Sequence, residues 1–199
     1  MAYTNFTLEK LKKDFGIINR NLSLFEYVEP IEASSWLKET LETSQLLPKR
    51  SEKARSEWFV APILMEMKKR NSDFLTIHSG DNLNADVEAG LNGECDFIIG
   101  KNTHSFTIDA PLFAVVEAKR QDFDSGISQC AAQMLGARIF NEKEGHPIPV
   151  VYGAVTTADD WLFLKLEDNI LIIDNELYPY KNLSTVLGIL QAIIDLYKV

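Results

Sequence analysis

The amino-acid sequence predicts a protein of mixed α/β (α+β) structure, with a central mixed β-sheet flanked by helices. Apolar residues recur at three- and four-residue steps in the first third of the chain and again at its end, as in amphipathic helices. Between these parts, short segments rich in Val, Ile, Phe and Leu are separated by turn residues, which is typical of strands. A strand, a helix and a strand over residues 112–155 have the spacing of a parallel crossover, whereas the short turns before them suit antiparallel hairpins.

The elements follow from these patterns in chain order. Helices are predicted over residues 5–14, 31–47, 51–70, 125–143 and 183–197, and strands over residues 74–78, 86–90, 95–100, 112–118, 149–155, 161–166 and 170–173. Pro62 should kink or divide the third helix, because proline lacks a backbone N–H. No repeat or linker divides the 199 residues, so we expect a single domain in which residues 1–48 form a helical extension packed on the core.

Composition narrows the possible functions. The formal net charge is −9, which counts against avid, non-specific binding of a polyanion. Residues 49–70 nevertheless carry seven basic side chains against three acidic ones, so either a local basic face or a solvated helix surface is possible. No apolar run approaches the roughly 20 residues that cross a bilayer, and the first residues lack the apolar centre of a signal peptide. We therefore expect a cytoplasmic protein with no membrane partner.

The segment most informative about chemistry runs from residue 93 to residue 133. Residues 112–116 form a continuous apolar run, typical of a strand covered on both faces, and Glu117, Ala118 and Lys119 follow. Because side chains alternate along a strand, Glu117 and Lys119 should share one face. Asp96 precedes another apolar triplet and should lie at the edge of a neighbouring strand. The sequence thus places two carboxylates and one ammonium group on adjacent strands.

Such a group suits a hard divalent cation, because Mg²⁺ prefers oxygen ligands and keeps waters that can be activated for attack. Lys119 could orient that water or stabilise charge on a phosphate. The chemistry indicated is phosphodiester hydrolysis. A surface ion pair between Glu117 and Lys119 at a strand end is the alternative, and for an isolated E-x-K sequence it is the commoner case.

The context of these residues resembles the PD-(D/E)xK nuclease superfamily. The resemblance covers about residues 51–155 and rests on an acid at the start of one strand, an acid-x-Lys sequence at the end of the next, and a helix carrying glutamines. Here these elements are Gly-Glu-Cys-Asp ending at Asp96, Val-Val-Glu-Ala-Lys-Arg ending at Arg120, and the pair Gln129 and Gln133. Cys95 stands where the name of the superfamily specifies proline.

The resemblance implies a restriction-endonuclease-like fold and a set of roles. Asp96, Glu117 and the Ala118 carbonyl would hold Mg²⁺, for which Mn²⁺ can substitute, and Lys119 would serve the nucleophilic water. Many members have a further glutamate on an earlier helix, and Glu57 is the matching residue, binding the metal directly or through water. Either Gln129 or Gln133, which share a helix face, could reach the site.

Helix periodicity adds candidate substrate contacts. Arg50, Lys53 and Glu57 lie at successive three- and four-residue steps, so one helix face could present two phosphate-binding cations beside the acid. Arg120, directly after Lys119, is counted with them.

The leading hypothesis is therefore a Mg²⁺-dependent nuclease, endo- or exonuclease, acting on DNA in defence or repair. The sequence contains no recognisable DNA-reading module, so specificity would come from loops or a partner protein, and a homodimer is possible. The first alternative is a nucleic-acid- or protein-binding module with weak or no hydrolysis. A second is an unrelated α/β protein with a fortuitous E-x-K, in which Asp96 and Glu117 would lie far apart.

Overall fold

The computed structural model describes residues 2–101 and 105–198, which form six α-helices and eight strands. The helices are α1 (Leu8–Phe15), α2 (Ser35–Ser44), α3 (Glu52–Arg55), α4 (Ala61–Arg70), α5 (Phe123–Lys143) and α6 (Leu183–Asp195). The strands are β1 (Ile18–Leu22), β2 (Thr76–Asn82), β3 (Glu94–Gly100), β4 (Leu112–Ala118), β5 (Val150–Thr156), β6 (Asp160–Glu167), β7 (Ile170–Asp174) and β8 (Tyr178–Pro179). None of these helices is long and apolar enough to span a bilayer.

All eight strands belong to one mixed sheet, which confirms the predicted fold class. The strand order is β1-β7-β6-β5-β4-β3-β2, with β8 paired to β6. The pairs β4–β5 and β1–β7 are parallel, and the others are antiparallel. Helix α5 connects β4 to β5, so the crossover predicted for residues 112–155 is present. The antiparallel pairing of β2, β3 and β4 also agrees with the short turns in the sequence.

Hydrophobic side chains pack on both faces of the sheet. One face is covered by α2, α4 and α6, whose buried residues contact the sheet through Phe97, Phe113 and Phe163. The other face is covered by α5 together with α1 and the N-terminal residues. Strand β4 is buried along its whole length because it lies near the middle of the sheet between these two layers. A residue at the end of β4 is therefore held on a rigid, buried element.

One predicted strand is absent, and two strands, β1 and the two-residue β8, were not predicted. Residues 86–90 form a turn rather than a strand: they contribute only an isolated bridge from Asp86 to Leu91, and the Asp86 side chain accepts a hydrogen bond from the Ala89 amide at 2.9 Å. Conversely, β1 was not predicted, because its sequence Ile-Asn-Arg-Asn-Leu is largely polar and every residue is exposed. Residues 1–48 thus add an edge strand to the sheet as well as helices.

The predicted break near Pro62 takes the form of a π-helical turn. This turn spans Ser56–Val60, between α3 and α4, and the Ala61 amide closes it by donating to the Ser56 carbonyl. Pro62 then lies in the first turn of α4. A missing N–H is tolerated best in the first turn of a helix, so the wider turn lets the chain pass the proline without ending the helical path.

Candidate active site

Strands β3 and β4 bring the predicted acids together. The two strands are antiparallel neighbours, with Phe97 opposite Val116. Asp96 lies one residue before Phe97, and its Oδ2 accepts a hydrogen bond of 2.7 Å from the backbone N–H of Ala118. Asp96 is thereby fixed to the peptide bond that joins Glu117 to Ala118. The arrangement differs from that of a fortuitous E-x-K sequence, for which the two acids would be far apart.

Helix α5 completes this cluster with two glutamines. Glu117 is only 2% exposed, and its Oε1 accepts from Nζ of Lys119 at 2.8 Å. Its Oε2 accepts from Nε2 of Gln133, also at 2.8 Å. Nζ of Lys119 donates in addition to Oε1 of Gln129 at 2.9 Å. Both glutamines therefore face the site, and the α5 face that carries them fixes the orientation of Glu117 and Lys119.

Gln133 has an unused hydrogen-bonding atom inside this cluster. The residue is fully buried, yet its Oε1 has no hydrogen-bond partner within the described residues. A buried acceptor without a partner is unfavourable, because it loses its hydrogen bonds to water. The cluster therefore has acceptor capacity left for a proton donor or a cation.

Burial and mutual repulsion make ionisation of the two acids unfavourable. Burial raises the pKa of Asp96, against the opposing effects of the Ala118 N–H and the Lys119 charge. Burial and then the charge of Asp96 raise the pKa of Glu117 to about 7, although Lys119 opposes them. Burial is the largest single effect on Lys119 and lowers its pKa. The charge and hydrogen bond of Glu117, together with the charges of Glu52 and Asp96, outweigh burial, so the net pKa is raised. Two carboxyls thus share one ammonium group, and a divalent cation would relieve the repulsion.

The donor set fits a hard cation that keeps part of its hydration. In residues 2–101 and 105–198, no three His, Cys, Asp or Glu side chains are grouped so that they could hold a metal ion. Protein ligands would therefore be limited to the Asp96 and Glu117 carboxylates and the Ala118 carbonyl, with water at the other positions. Mg²⁺ is usually bound in this way, and each carboxylate oxygen retains a lone pair beside its present hydrogen bond.

Helix α3 brings an acid that the sequence did not single out, Glu52, into electrostatic contact with Asp96 and Lys119. Glu57 lies in the π turn, half-exposed, with its Oε1 3.7 Å from Nζ of Lys53. Glu52, at the start of α3, instead accepts from the Arg120 amide at 3.3 Å, and its charge raises the pKa of both Asp96 and Lys119. Glu52 was missed because the motif indicates only that an acid should lie on this helix, and residues 51–70 contain three.

Four of the seven basic side chains of residues 49–70, for which a basic face and a solvated helix surface were both open, form ion pairs within the protein. Lys49 and Arg55 both bind Asp159, and Arg55 also donates to the Thr157 carbonyl. Other basic side chains of residues 49–70 are engaged as well, among them Lys53 with Glu57, Arg70 with Glu66, and Lys68 with two backbone carbonyls. Arg50 and Arg120 are exposed, and neither side chain forms an ion pair within the described parts of the chain.

Comparison with protein-family models, curated proteins and solved structures finds no match for this chain. The similarity to PD-(D/E)xK nucleases accordingly rests on the residues and motifs of the sequence alone.

Proposed function

We propose that the protein is a Mg²⁺-dependent nuclease of the PD-(D/E)xK type that hydrolyses phosphodiester bonds in DNA. The observation that carries the proposal is the convergence of Asp96, Glu117 and Lys119 at one end of β3 and β4. An ion pair on the surface of the same molecule is more exposed than the pair of Glu117 and Lys119. Lys165 and Glu167 on β6 are also 2.8 Å apart, but their side chains are 23% and 48% exposed. In contrast, Glu117 is buried beside a second carboxylate, and the single charge of Lys119 cannot compensate both, so a metal cation would offset the remaining cost.

In this proposal the metal would be held by Asp96, Glu117 and the Ala118 carbonyl. When bound, it supplies a water of lowered pKa and stabilises charge on the phosphate. Nζ of Lys119, held between Glu117 and Gln129, donates a hydrogen bond to the attacking water or to a phosphate oxygen. Gln133 keeps the Glu117 carboxylate from rotating.

Substrate binding is assigned to the exposed cations near the site. Arg50, Lys53 and Arg120 would contact phosphates, with Lys53 leaving its weak pair with Glu57. The net charge of −9 keeps non-specific affinity low, so a partner protein or a second copy of the chain would supply specificity for a role in defence or repair. Action in the cytoplasm follows from the same proposal.

One observation favours a second candidate, a nucleic-acid- or protein-binding module without hydrolysis. Both oxygens of Glu117 are already hydrogen-bonded, and the described residues hold no third acid grouped with Asp96 and Glu117 as a metal ligand. In such a module the cluster would be a closed structural network. The two functions differ in whether the network opens to bind a cation.

The test is cleavage of plasmid, linear duplex and single-stranded DNA, and of RNA, at low salt with Mg²⁺, Mn²⁺ or EDTA. We expect metal-dependent cleavage of DNA that falls by about 100-fold or more in Glu117→Gln and Lys119→Met. Glu167→Gln and Lys165→Met are matched controls and should retain activity. Metal binding without cleavage of any substrate would favour the binding module, and equal losses in the control variants would contradict the assignment of the site.

A further inference from the structure

A glycine in the first turns of α5 lies directly beneath the side chain of Lys119. A Cβ placed on Gly126 would meet Cγ of Lys119 at 2.9 Å and Cε at 3.7 Å. On its other side the same Cβ would meet Cγ1 of Val155 at 2.6 Å. The aliphatic part of the Lys119 side chain therefore passes over α5 at the place where any residue other than glycine would have its Cβ.

The position of α5 leaves no room for a side chain at residue 126. The side chain of Asp122 caps the start of α5 by accepting from the Ser125 amide at 3.1 Å, and Gln129 and Gln133 bond to Lys119 and Glu117. A glycine within a helix is less favourable than alanine. Gly126 has an ordinary negative φ, so its conformation does not require glycine. Close approach between α5, Lys119 and Val155 is the remaining physical reason for it.

We infer that Gly126 is a positioning residue for the reaction. Because it has no side chain, it leaves the space that the Lys119 side chain occupies on its way to Glu117 and Gln129. The inference rests on the proposed function, because the reaction is the nuclease reaction in which Lys119 serves the water or the phosphate. A side chain at this position pushes the lysine stem outward and separates Nζ from its two partners, while the groups assigned to metal and phosphate binding stay in place.

The experiment measures where Lys119 is, independently of catalysis. Purified proteins are acetylated with an amine-reactive ester, and labelling of each lysine is followed by peptide mass spectrometry. The Lys119 side chain is 12% exposed in the wild type, so it should react slowly, and Lys165, at 23%, is the internal reference. In Gly126→Ala the lysine is displaced, and we expect its labelling to be several-fold faster.

A second background separates displacement of the lysine from disturbance of the helix. Val155→Ala removes the 2.6 Å clash, so that in this background the nearest neighbour of the new methyl group in Gly126→Ala is Cγ of Lys119. Lys119 should be labelled several-fold faster in the double variant than in Val155→Ala alone. Gly136→Ala is the control for crowding elsewhere on α5, since its Cβ would meet the hydroxyl of Tyr3, and it should leave Lys119 labelling unchanged.

Kinetics supply the second readout. The double variant should lower kcat for DNA by about 100-fold relative to Val155→Ala, with KM unchanged, because a small misplacement of a catalytic group affects the chemical step. Equal Lys119 labelling in the double variant and in Val155→Ala would overturn the inference, as would faster labelling with unchanged kcat. If the wild type cleaves no nucleic acid, the proposed function fails by itself, and the labelling still decides whether Gly126 positions Lys119.

Discussion

Glu117 is the residue that connects the parts of the site, because its two oxygens contact Lys119 on one side and Gln133 on the other. Alternation along a strand is sufficient to predict that Glu117 and Lys119 share a face, and the apolar run before them predicts burial. Glu52 and Gly126 were not predictable in this way. The role of Glu52 depends on how α3 lies against β4, and that of Gly126 depends on an absent side chain.

The raised pKa of Glu117 predicts how stability changes with pH in the metal-free protein. Below pH 4.5 the carboxyl is protonated in both folded and unfolded chains. As the pH rises towards about 7, Glu117 ionises in the unfolded chain before it does so in the folded protein, so the free energy of unfolding falls. Above that pH the full cost of holding an ionised Glu117 in the folded protein is present. The free energy of unfolding of the wild type, relative to that of Glu117→Gln, should therefore decrease over this range.

Urea denaturation in EDTA at a series of pH values measures this difference. Glu167→Gln, which removes the half-exposed acid of the similar pair on β6, should follow the wild-type profile. Mg²⁺ should reduce the decrease, because it binds the ionised form of the folded protein. A difference between wild type and Glu117→Gln that does not vary with pH would contradict the account of the Glu117 environment.

At the scale of elements, polar side chains of α5 contact both ends of β4. At the end of the strand Gln133 donates to Glu117, and Gln129 accepts from Lys119, directly after the strand. Near the end of α5, Asn141, which is fully buried, accepts from the Leu112 amide and donates to the Leu112 carbonyl, both at 2.7 Å. The side-chain amide thus satisfies both backbone groups where β4 begins. The position of the helix along the strand, on which the site depends, is set by these polar contacts.

Replacing Asn141 by Leu should lower the free energy of unfolding by about 2–4 kcal/mol, because two buried backbone groups lose their partners. Urea denaturation measures the change. Glu142→Leu, at the adjacent exposed position of α5, is the control and should change stability by no more than about 0.5 kcal/mol. Equal effects of the two substitutions would show that Asn141 does not fix the helix.

Prediction of the elements from sequence succeeded where burial leaves a pattern. Strands β4 and β5 and helix α5 are buried, and their apolar runs and helical spacing identified them. Strand β1 has no such pattern, because it is an exposed edge strand stabilised by backbone pairing with β7. Residues 86–90 resemble a strand in composition, but the Asp86 side chain and the positive φ of Gly90 favour a turn.

At the scale of the whole molecule, the charge distribution limits nucleic-acid binding. The net charge is −9, and Asp159 neutralises two cations of residues 49–70, Lys49 and Arg55. The sequence gives the number of basic residues in that segment, but it does not show that a carboxylate from the turn after β5 lies among them. Such pairing over a long sequence separation follows only from the fold.

Asp159→Asn should tighten metal-free binding to DNA, because Lys49 and Arg55 lose their common partner near the proposed site. The slope of log affinity against log salt concentration should also become steeper, by about one or two, because one or two more counterions are released on binding. Fluorescence anisotropy with a labelled oligonucleotide in EDTA at several salt concentrations measures both quantities. Asp195→Asn makes the same change in net charge at another lysine-paired acid, that of Lys198, and should have little effect. Equal effects of the two variants would indicate a general charge effect rather than a basic surface at α3.

The central claim is that Asp96 and Glu117 bind a divalent cation, and calorimetric titration of Mg²⁺ and Mn²⁺ into the protein tests it most directly. The account predicts binding of metal to the wild type, loss of binding in Asp96→Ala/Glu117→Ala, and retention in Glu167→Gln, whose acid lies at the opposite end of the sheet strands. Absence of metal binding by the folded wild type, or undiminished binding by the double variant, would contradict it.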